Sequence, residues 1–407
     1  MSVLSSYRRL FALTGPLYVV VAFVARLPMA MSQMGILLLV AEVSGSYGGG
    51  GAAAGAFAVV NALASPLAGA LTDRIGQRPV LLVQSVGGAL ALLALVVLSR
   101  QDVPWQLLAV VSGVAGVFVP QVGTLARVRW RELTRAKGGQ GFKLLSTAFS
   151  YEGAADEASF VLGPAIVGTT AAVVSPAGAL LLAAGGLAVF ATWFALHPTV
   201  ALVRGHRGVR DGAGGRVGPL LLGLAAGQLL VGAIFGSVQA GTTALATVAG
   251  EPGLAGLLHA VLGIGSVVAG LAIVVLPERF RLADRLPVFA GGLAVLTVPL
   301  LAVHSLGTLA AVLLVLGLAV APYMITIFSA CERVVDPSRL GAAMMVLAAA
   351  TSLGYALGSS TAGRLADVGS YPFAYRVTIA AGTAALLLSL VLRTALHRRR
   401  RRMGEKS

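Results

Sequence analysis

Cysteine is all but missing: Cys331 stands alone in 407 residues, so no intramolecular disulfide is available, and no Cys/His spacing of the metal-binding kind occurs. Charge is scarce too. Only 11% of the residues are charged and 57% are hydrophobic, where a soluble domain carries about 25% charged residues. A soluble domain is therefore excluded, and lipid is the expected solvent. Segments alternating between polar and apolar residues are also absent, so the spans are expected to be helices, the one alternative to a closed barrel that satisfies every backbone group in hydrocarbon. The sequence has no polar segment long enough for a separate catalytic or signalling domain, and no nucleophile or phosphate-binding motif. A membrane enzyme or receptor is thus the remote reading, and neither a cofactor nor a metal is expected.

What remains is a series of apolar runs of ~20 residues, about twelve of them, joined by short polar connections. They predict an all-α membrane protein with twelve transmembrane helices in two pseudo-symmetric six-helix bundles. The first run, 11–40, is too long for a signal-peptide core and reads as an uncleaved helix. The longest polar stretch, rich in Gly and Arg, divides the chain into a first bundle at 1–196, a cytoplasmic linker at 197–217, a second bundle at 218–396 and a basic tail at 397–407. A faint repeat supports the division. Gly55 and Gly69 stand fourteen residues apart, as do Gly256 and Gly270, with Ser65 and Ser266 in register at an offset of 201.

The net charge of +15 is unevenly spread. Counting alternate loops places Arg8, Arg9, Arg74, Arg78, the basic segments within 127–143, 204–216 and 279–285, Arg333, Arg339 and the tail on one side. Only Arg100, Arg364 and Arg376 fall on the other. This positive-inside bias predicts a multi-pass protein of the plasma (inner) membrane with both termini cytoplasmic. Anionic lipid headgroups are the expected contact of the arginines at 398–402, with no nucleic-acid partner, and the chain is expected to be a monomer.

Inside the spans, polar groups mark candidate positions. Arg26 falls near the midpoint of the first helix, with Gln33 seven residues on along the same face. Asn61, Gln121, Gln228, Gln239 and Tyr323 are candidates for a substrate cavity of modest hydrogen-bonding power. Trp105, Trp130 and Trp193 fall at expected interfaces, as an aromatic belt does. Helix 5 is the unusual one. Glu152, Asp156, Ser159 and Gly163 form one stripe at i, i+4, i+7 and i+11, with Glu157 turned about 100° away. A charge at mid-membrane costs roughly 2.5–3.5 kcal/mol even on the lenient insertion scale, so Arg26, Glu152, Asp156 and Glu157 need partners, water or protons. Carboxylates this close in a dry site do not all ionise cheaply, and at least one is expected to hold a proton.

Between the second and third runs, 52–71 and 80–98, lies Gly69-Ala70-Leu71-Thr72-Asp73-Arg74-Ile75-Gly76-Gln77-Arg78-Pro79. Gly76 supplies the turn, and Pro79 suits the first turn of the following helix. The pattern G-x-L-x-D-R-x-G-x-R resembles the loop 2–3 signature of the major facilitator superfamily, at the address where that family carries it. The resemblance implies an efflux-type transporter whose two bundles rock about a central site. It gives Asp73, Arg74, Gly76 and Arg78 the part of a gating latch, with Asp73 beside the start of helix 11, marked by Asp336-Pro337-Ser338. Helix 5 resembles the family's antiporter motif G-x-x-x-G-P-x-x-G-G, read here as Ser159-x-x-x-Gly163-Pro164-x-x-Val167-Gly168. The Gly163-Pro164 kink is kept, while Ser159 and Val167 replace two glycines and weaken the antiport implication. The family's helix-4 arginine motif is not evident, and Arg26 is the expected substitute, paired with Asp156 or Glu157 because helices 1 and 5 of the family are neighbours. Glu152 or the carboxylate left over then carries the proton. The function expected is proton-coupled export of a small amphipathic or hydrophobic compound by alternating access; the alternative is a proton symporter importing a small nutrient.

Overall fold

The computed structural model describes residues 3–44, 47–135, 137, 141–203, 218–251, 254–277 and 280–404, and among them no strand occurs. After a short helix α1 (Val3–Phe11), the first crossing is made by α2 (Pro16–Val24) and α3 (Leu27–Ser44). Then come α4 (Tyr47–Ile75), α5 (Gln77–Leu98), the pair α6 (Trp105–Phe118) and α7 (Val122–Arg135), and α8 (Gly141–Val173). The pair α9 (Pro176–Gly186) and α10 (Thr192–Leu196) closes the first half. The second half consists of α11 (Pro219–Val248), α12 (Ala255–Ala272), α13 (Leu282–Thr297), α14 (Leu306–Val334), α15 (Leu340–Gly369) and α16 (Tyr371–Gly404). Twelve crossings result, an even number, so both ends of the chain emerge on one face, called here the terminal face.

Among the described residues, eleven crossings are long and apolar enough to traverse a bilayer by length and hydropathy. The twelfth is α8, where Glu152, Asp156 and Glu157 lower the hydropathy of a 33-residue helix. Its surroundings show why the charges are tolerated: α8 packs against α3, α7, α9, α12 and α14 and is lined by protein along much of its length.

Two apolar cores form. One draws on α1–α10 and the other on α11–α16; Val128 and Phe149 of the first half enter the second core, and Met345 of α15 enters the first. The bundles meet along two seams, α4 against α15 and α8 against α12. Gly69 lies where a Cβ would stand 2.7 Å from Met345 and 2.8 Å from Ala342, while a Cβ on Gly270 would stand 3.6 Å from Ala154. These glycines are the pair offset by 201 in the sequence, and each sits in the seam its own half contributes. Small residues at such points let backbones approach closely enough for van der Waals packing, the main attraction between helices in lipid.

Several boundaries shift from the sequence reading. The linker expected at 197–217 begins as a 3₁₀ turn, Pro198–Leu202, with Thr199 and Val200 buried; its 204–217 part lies outside the described residues. The segment expected as the tail from 397 continues the last helix, α16, as far as Gly404. The connection between helices 2 and 3, residues 72–79 by the apolar runs, contracts to Gly76 alone, at φ +88°, with Asp73 and Arg74 in the last turn of α4 and Arg78 in the first turn of α5. A left-handed residue permits so abrupt a reversal, and glycine occupies it at no steric cost.

Candidate functional site

Pro28 dictates where Arg26 sits. A proline one turn into a helix cannot donate to the carbonyl four residues back, and its ring crowds that carbonyl. The first crossing accordingly breaks at Ala25 and Arg26, between α2 and α3. From this break the guanidinium, 4% exposed, reaches α8, where it pairs with the Glu152 carboxylate through Nη2 and with Asp156 Oδ1 through Nη1 at 3.2 Å. The expected Arg26 pairing with Asp156 is present. Its other partner is Glu152, not Glu157, because the stripe geometry turns Glu157 away from α3.

Pro120 produces a second break, between α6 and α7. Its missing N–H would orphan the Gly116 carbonyl, and the Asn61 amide supplies the donor instead, at 2.8 Å, with the Val119 carbonyl also accepting at 3.2 Å. Gln121 Nε2 donates to Asn61 Oδ1 at 2.8 Å. Non-helical backbone at membrane depth survives only where such groups satisfy it. Asn61 and Gln121, expected to face a substrate, thus have amide groups engaged in the repair of helix 4.

Beyond the break α7 runs on to Arg135, so the arginines read as a cytoplasmic loop from Arg127 onward begin inside a helix. Arg127, 1% exposed, pairs with Asp156 Oδ2 at 2.8 Å and lies over the Phe328 ring of α14 at 4.2 Å. Helix 4 thus contributes a buried arginine, Arg127, to the charge network instead of opening a loop with it. Trp130 is also misplaced by that reading: it is not in an interfacial belt but fully buried, donating from Nε1 to Glu152 Oε1 at 2.6 Å. Arg129 is buried beside it, donating to Gln77 Oε1 at 2.9 Å and to the Phe194 carbonyl at 2.8 Å. The signal for these residues was a helical period running through 122–135, hidden by the density of arginine.

The result is a compact network, Arg26, Glu152, Asp156 and Arg127, with two positive and two negative groups. Asp156 alone retains access, with a side-chain exposure of 20% against 0% for Glu152. Gly123, in the first turn of α7, leaves the space its carboxylate occupies, since a Cβ there would strike Asp156 Oδ1. Glu157 stands apart on the α8–α12 seam, buried beside Ser266. Among the described residues no group of three or more His, Cys, Asp or Glu gathers as a metal site.

The remaining candidates scatter. Gln33 and Gln239 are exposed, and Tyr355 donates its hydroxyl to Gln239 Oε1. Gln228 is buried and accepts from Thr351 at 3.3 Å. Tyr323 is not on a cavity wall: it lies in the second core with its hydroxyl 3.0 Å from Ser389 Oγ. Gly163 packs on the backbone of Ala30 and Met31, and α8 passes through Pro164 without interruption. Asp73 accepts from the Gly341 and Ala342 amides at 3.1 and 2.9 Å, at the start of α15. Arg74 and Arg78 are exposed.

Contacts between the bundles gather at the terminal face. Besides Asp73 they include the Tyr7 hydroxyl donating to the Leu271 carbonyl at 2.8 Å, Arg131 with Glu332 at 2.7 Å, and Arg333 over the Phe142 ring at 4.3 Å.

No family model matches the sequence, and no curated protein matches it. Solved structures do. The human organic anion transporter MFSD10 (TETRAN) superposes with a TM-score of 0.67 at 18% identity, covering 94% of this chain and 99% of its own. A bacterial homologue of the iron transporter ferroportin in an outward-facing state gives 0.74 at 14% identity, covering 93% and 98%. A bacterial homologue of ferroportin in an outward-facing state with soaked iron gives 0.72 at 14%, covering 92% and 98%. The chain therefore has the fold of major facilitator superfamily transporters, over nearly its whole length.

Proposed function

We propose that this protein is a secondary active transporter that exports a small amphipathic or hydrophobic compound against proton entry, with the two bundles alternating in access to a central site. The observation that carries this reading is the charge-balanced network at the break of helices 1 and 4, touching the opposite bundle through Phe328. Four ionised groups at this depth are tolerated while they neutralise one another. Protonating Asp156, the one member with access, removes a negative charge and leaves Arg127 without its carboxylate at the bundle interface. The favoured packing of the bundles then changes, and proton occupancy is coupled to their orientation. Latching by Asp73, Arg74, Gly76 and Arg78 belongs to the same proposal, as do the plasma-membrane location with cytoplasmic termini and a monomeric state.

The test is transport in proteoliposomes under an imposed pH gradient, with lumenal pH followed by a trapped dye. Wild type should move protons and hydrophobic cations or neutral amphiphiles in opposite directions. Asp156→Asn should abolish the proton flux while substrate exchange at equal pH continues. Co-directional fluxes in the wild type would replace export with nutrient symport, and a proton flux intact in Asp156→Asn would remove this residue from the coupling.

A further inference from the structure

A cavity of about 450 Å³ opens at the terminal face between the bundles, in the size range of ligand sites, roughly 300–1,000 Å³. Its lining is sharply divided. Lys143 of α8, Arg281 and Arg285 at the head of α13, and Arg333 of α14 contribute cationic side chains, whereas Glu332, paired with Arg131, is the one carboxylate among the described lining residues. Leu282 and Ala283, in the first turn of α13, also line it, and the residue capping that helix, Arg281, makes no side-chain cap. The amide donors of this first turn face an anion as any helix N-terminus does, while the Asp284 carboxylate in the same turn is engaged by Arg393 at 2.8 Å and His397 at 3.3 Å. Phe142, half exposed at the rim, Phe149 and Phe280 supply an apolar side.

Cations beside aromatic surface, at the ends of spanning helices, match a molecule with a phosphate head and a hydrocarbon tail. We infer that this cavity holds the phosphate headgroup of an anionic phospholipid from the leaflet at the terminal face. The cavity is walled by both bundles, with Phe142 and Lys143 from the first and Arg281, Arg285 and Arg333 from the second. It exists in this form while the terminal face is closed, so a bound headgroup favours that closed state, whatever compound is carried.

The test uses the full chain in phosphatidylcholine nanodiscs with and without phosphatidylglycerol. Retained lipid is counted by native mass spectrometry and Tm by intrinsic fluorescence. Wild type should retain phosphatidylglycerol in preference to phosphatidylcholine and show a higher Tm with it. Arg281→Gln/Arg333→Gln should lower that retention about thirtyfold, the worth of two basic residues at a lipid surface. It should also erase the Tm gain, measured as the difference between phosphatidylglycerol-containing and pure phosphatidylcholine nanodiscs of the same variant. Lys143→Gln, on the other bundle, should reduce retention about fivefold by the same reckoning, and Arg398→Gln/Arg401→Gln in the tail should leave it within about twofold. Equal losses in the tail variant and the cavity variants would mean general surface attraction and overturn the site. Inorganic phosphate raising the wild-type Tm in detergent, with no phosphatidylglycerol retained, would overturn the lipid as occupant in favour of a soluble phosphate.

Discussion

Removing Arg26 leaves Glu152 at 0% exposure with only the Trp130 N–H among its described side-chain partners, whereas Asp156 still has Arg127. An uncompensated buried charge typically costs about 3–5 kcal/mol, and deleting both members of a buried pair costs much less. Arg26→Gln should therefore lower Tm strongly in detergent, and Arg26→Gln/Glu152→Gln should recover most of the loss; equal losses in the two would show that the pair does not act as a unit. Outside the spans, His197 follows α10 with its ring 5.1 Å from that of Tyr18, and burial together with the Arg129 guanidinium holds it below its usual pKa. The folded state thus favours the neutral ring. Stability from this group is present above the ordinary histidine pKa of about 6.5 and falls as pH drops through that value toward the lower folded one. Thermal melts between pH 7.5 and 5.5 should show a steeper acid decline in wild type than in His197→Gln. Arg26 was legible in the sequence because it interrupts an apolar run, and Glu152 and Asp156 because their spacing makes a stripe. Arg127 and Trp130 were not, because a helix end dense in arginine reads like a solvated loop until the partners buried on α8 are known.

At the scale of the helix, two prolines decide the site. Pro28 and Pro120 break crossings 1 and 4, and each break lies within reach of the same stretch of α8. The proline positions were visible in the sequence, but not what repairs the second break. Asn61 lies far away in sequence and becomes relevant only once α4 packs on α6. Leaving a buried carbonyl unsatisfied costs about 1–3 kcal/mol. Asn61→Ala should accordingly lower Tm and, by loosening the junction that aims Arg127, reduce proton-coupled transport. Asn61→Asp keeps the shape but turns a donor into an acceptor facing the Gly116 carbonyl, and it should be at least as damaging. A transport defect without any loss of Tm in Asn61→Ala would instead point to direct contact between Asn61 and substrate.

For the whole molecule, the two seams are related by the internal repeat: α4 with α15, and α8 with α12, carry Gly69 and Gly270 at equivalent positions. Composition and the glycine offset made two bundles legible in advance, since both follow from the membrane as solvent. The state of the bundles was not, because closure at one face depends on contacts between halves that no local pattern records. Asp73 tests that closure. Both of its oxygens accept amide hydrogens from the first turn of α15, where the helix dipole favours negative charge by about 0.3–1 kcal/mol. Asp73→Asn is nearly isosteric, keeps one acceptor and loses the charge, so it should raise the population open at the terminal face by about two- to fivefold. Spin labels at Ile75→Cys and Arg339→Cys, both exposed in the native protein, report the separation of α4 and α15 in a Cys331→Ser background. The distance distribution should gain a longer component in Asp73→Asn, with transport slowed because the cycle rests in the wrong state. Gly341→Val offers an independent route, since a Cβ at Gly341 would stand 2.5 Å from Asp73 Oδ1 and 3.1 Å from Thr72 Oγ1, and it should widen the same distance further. Unchanged distances and unchanged transport in both variants would leave the α4–α15 contact as packing alone, with no part in gating.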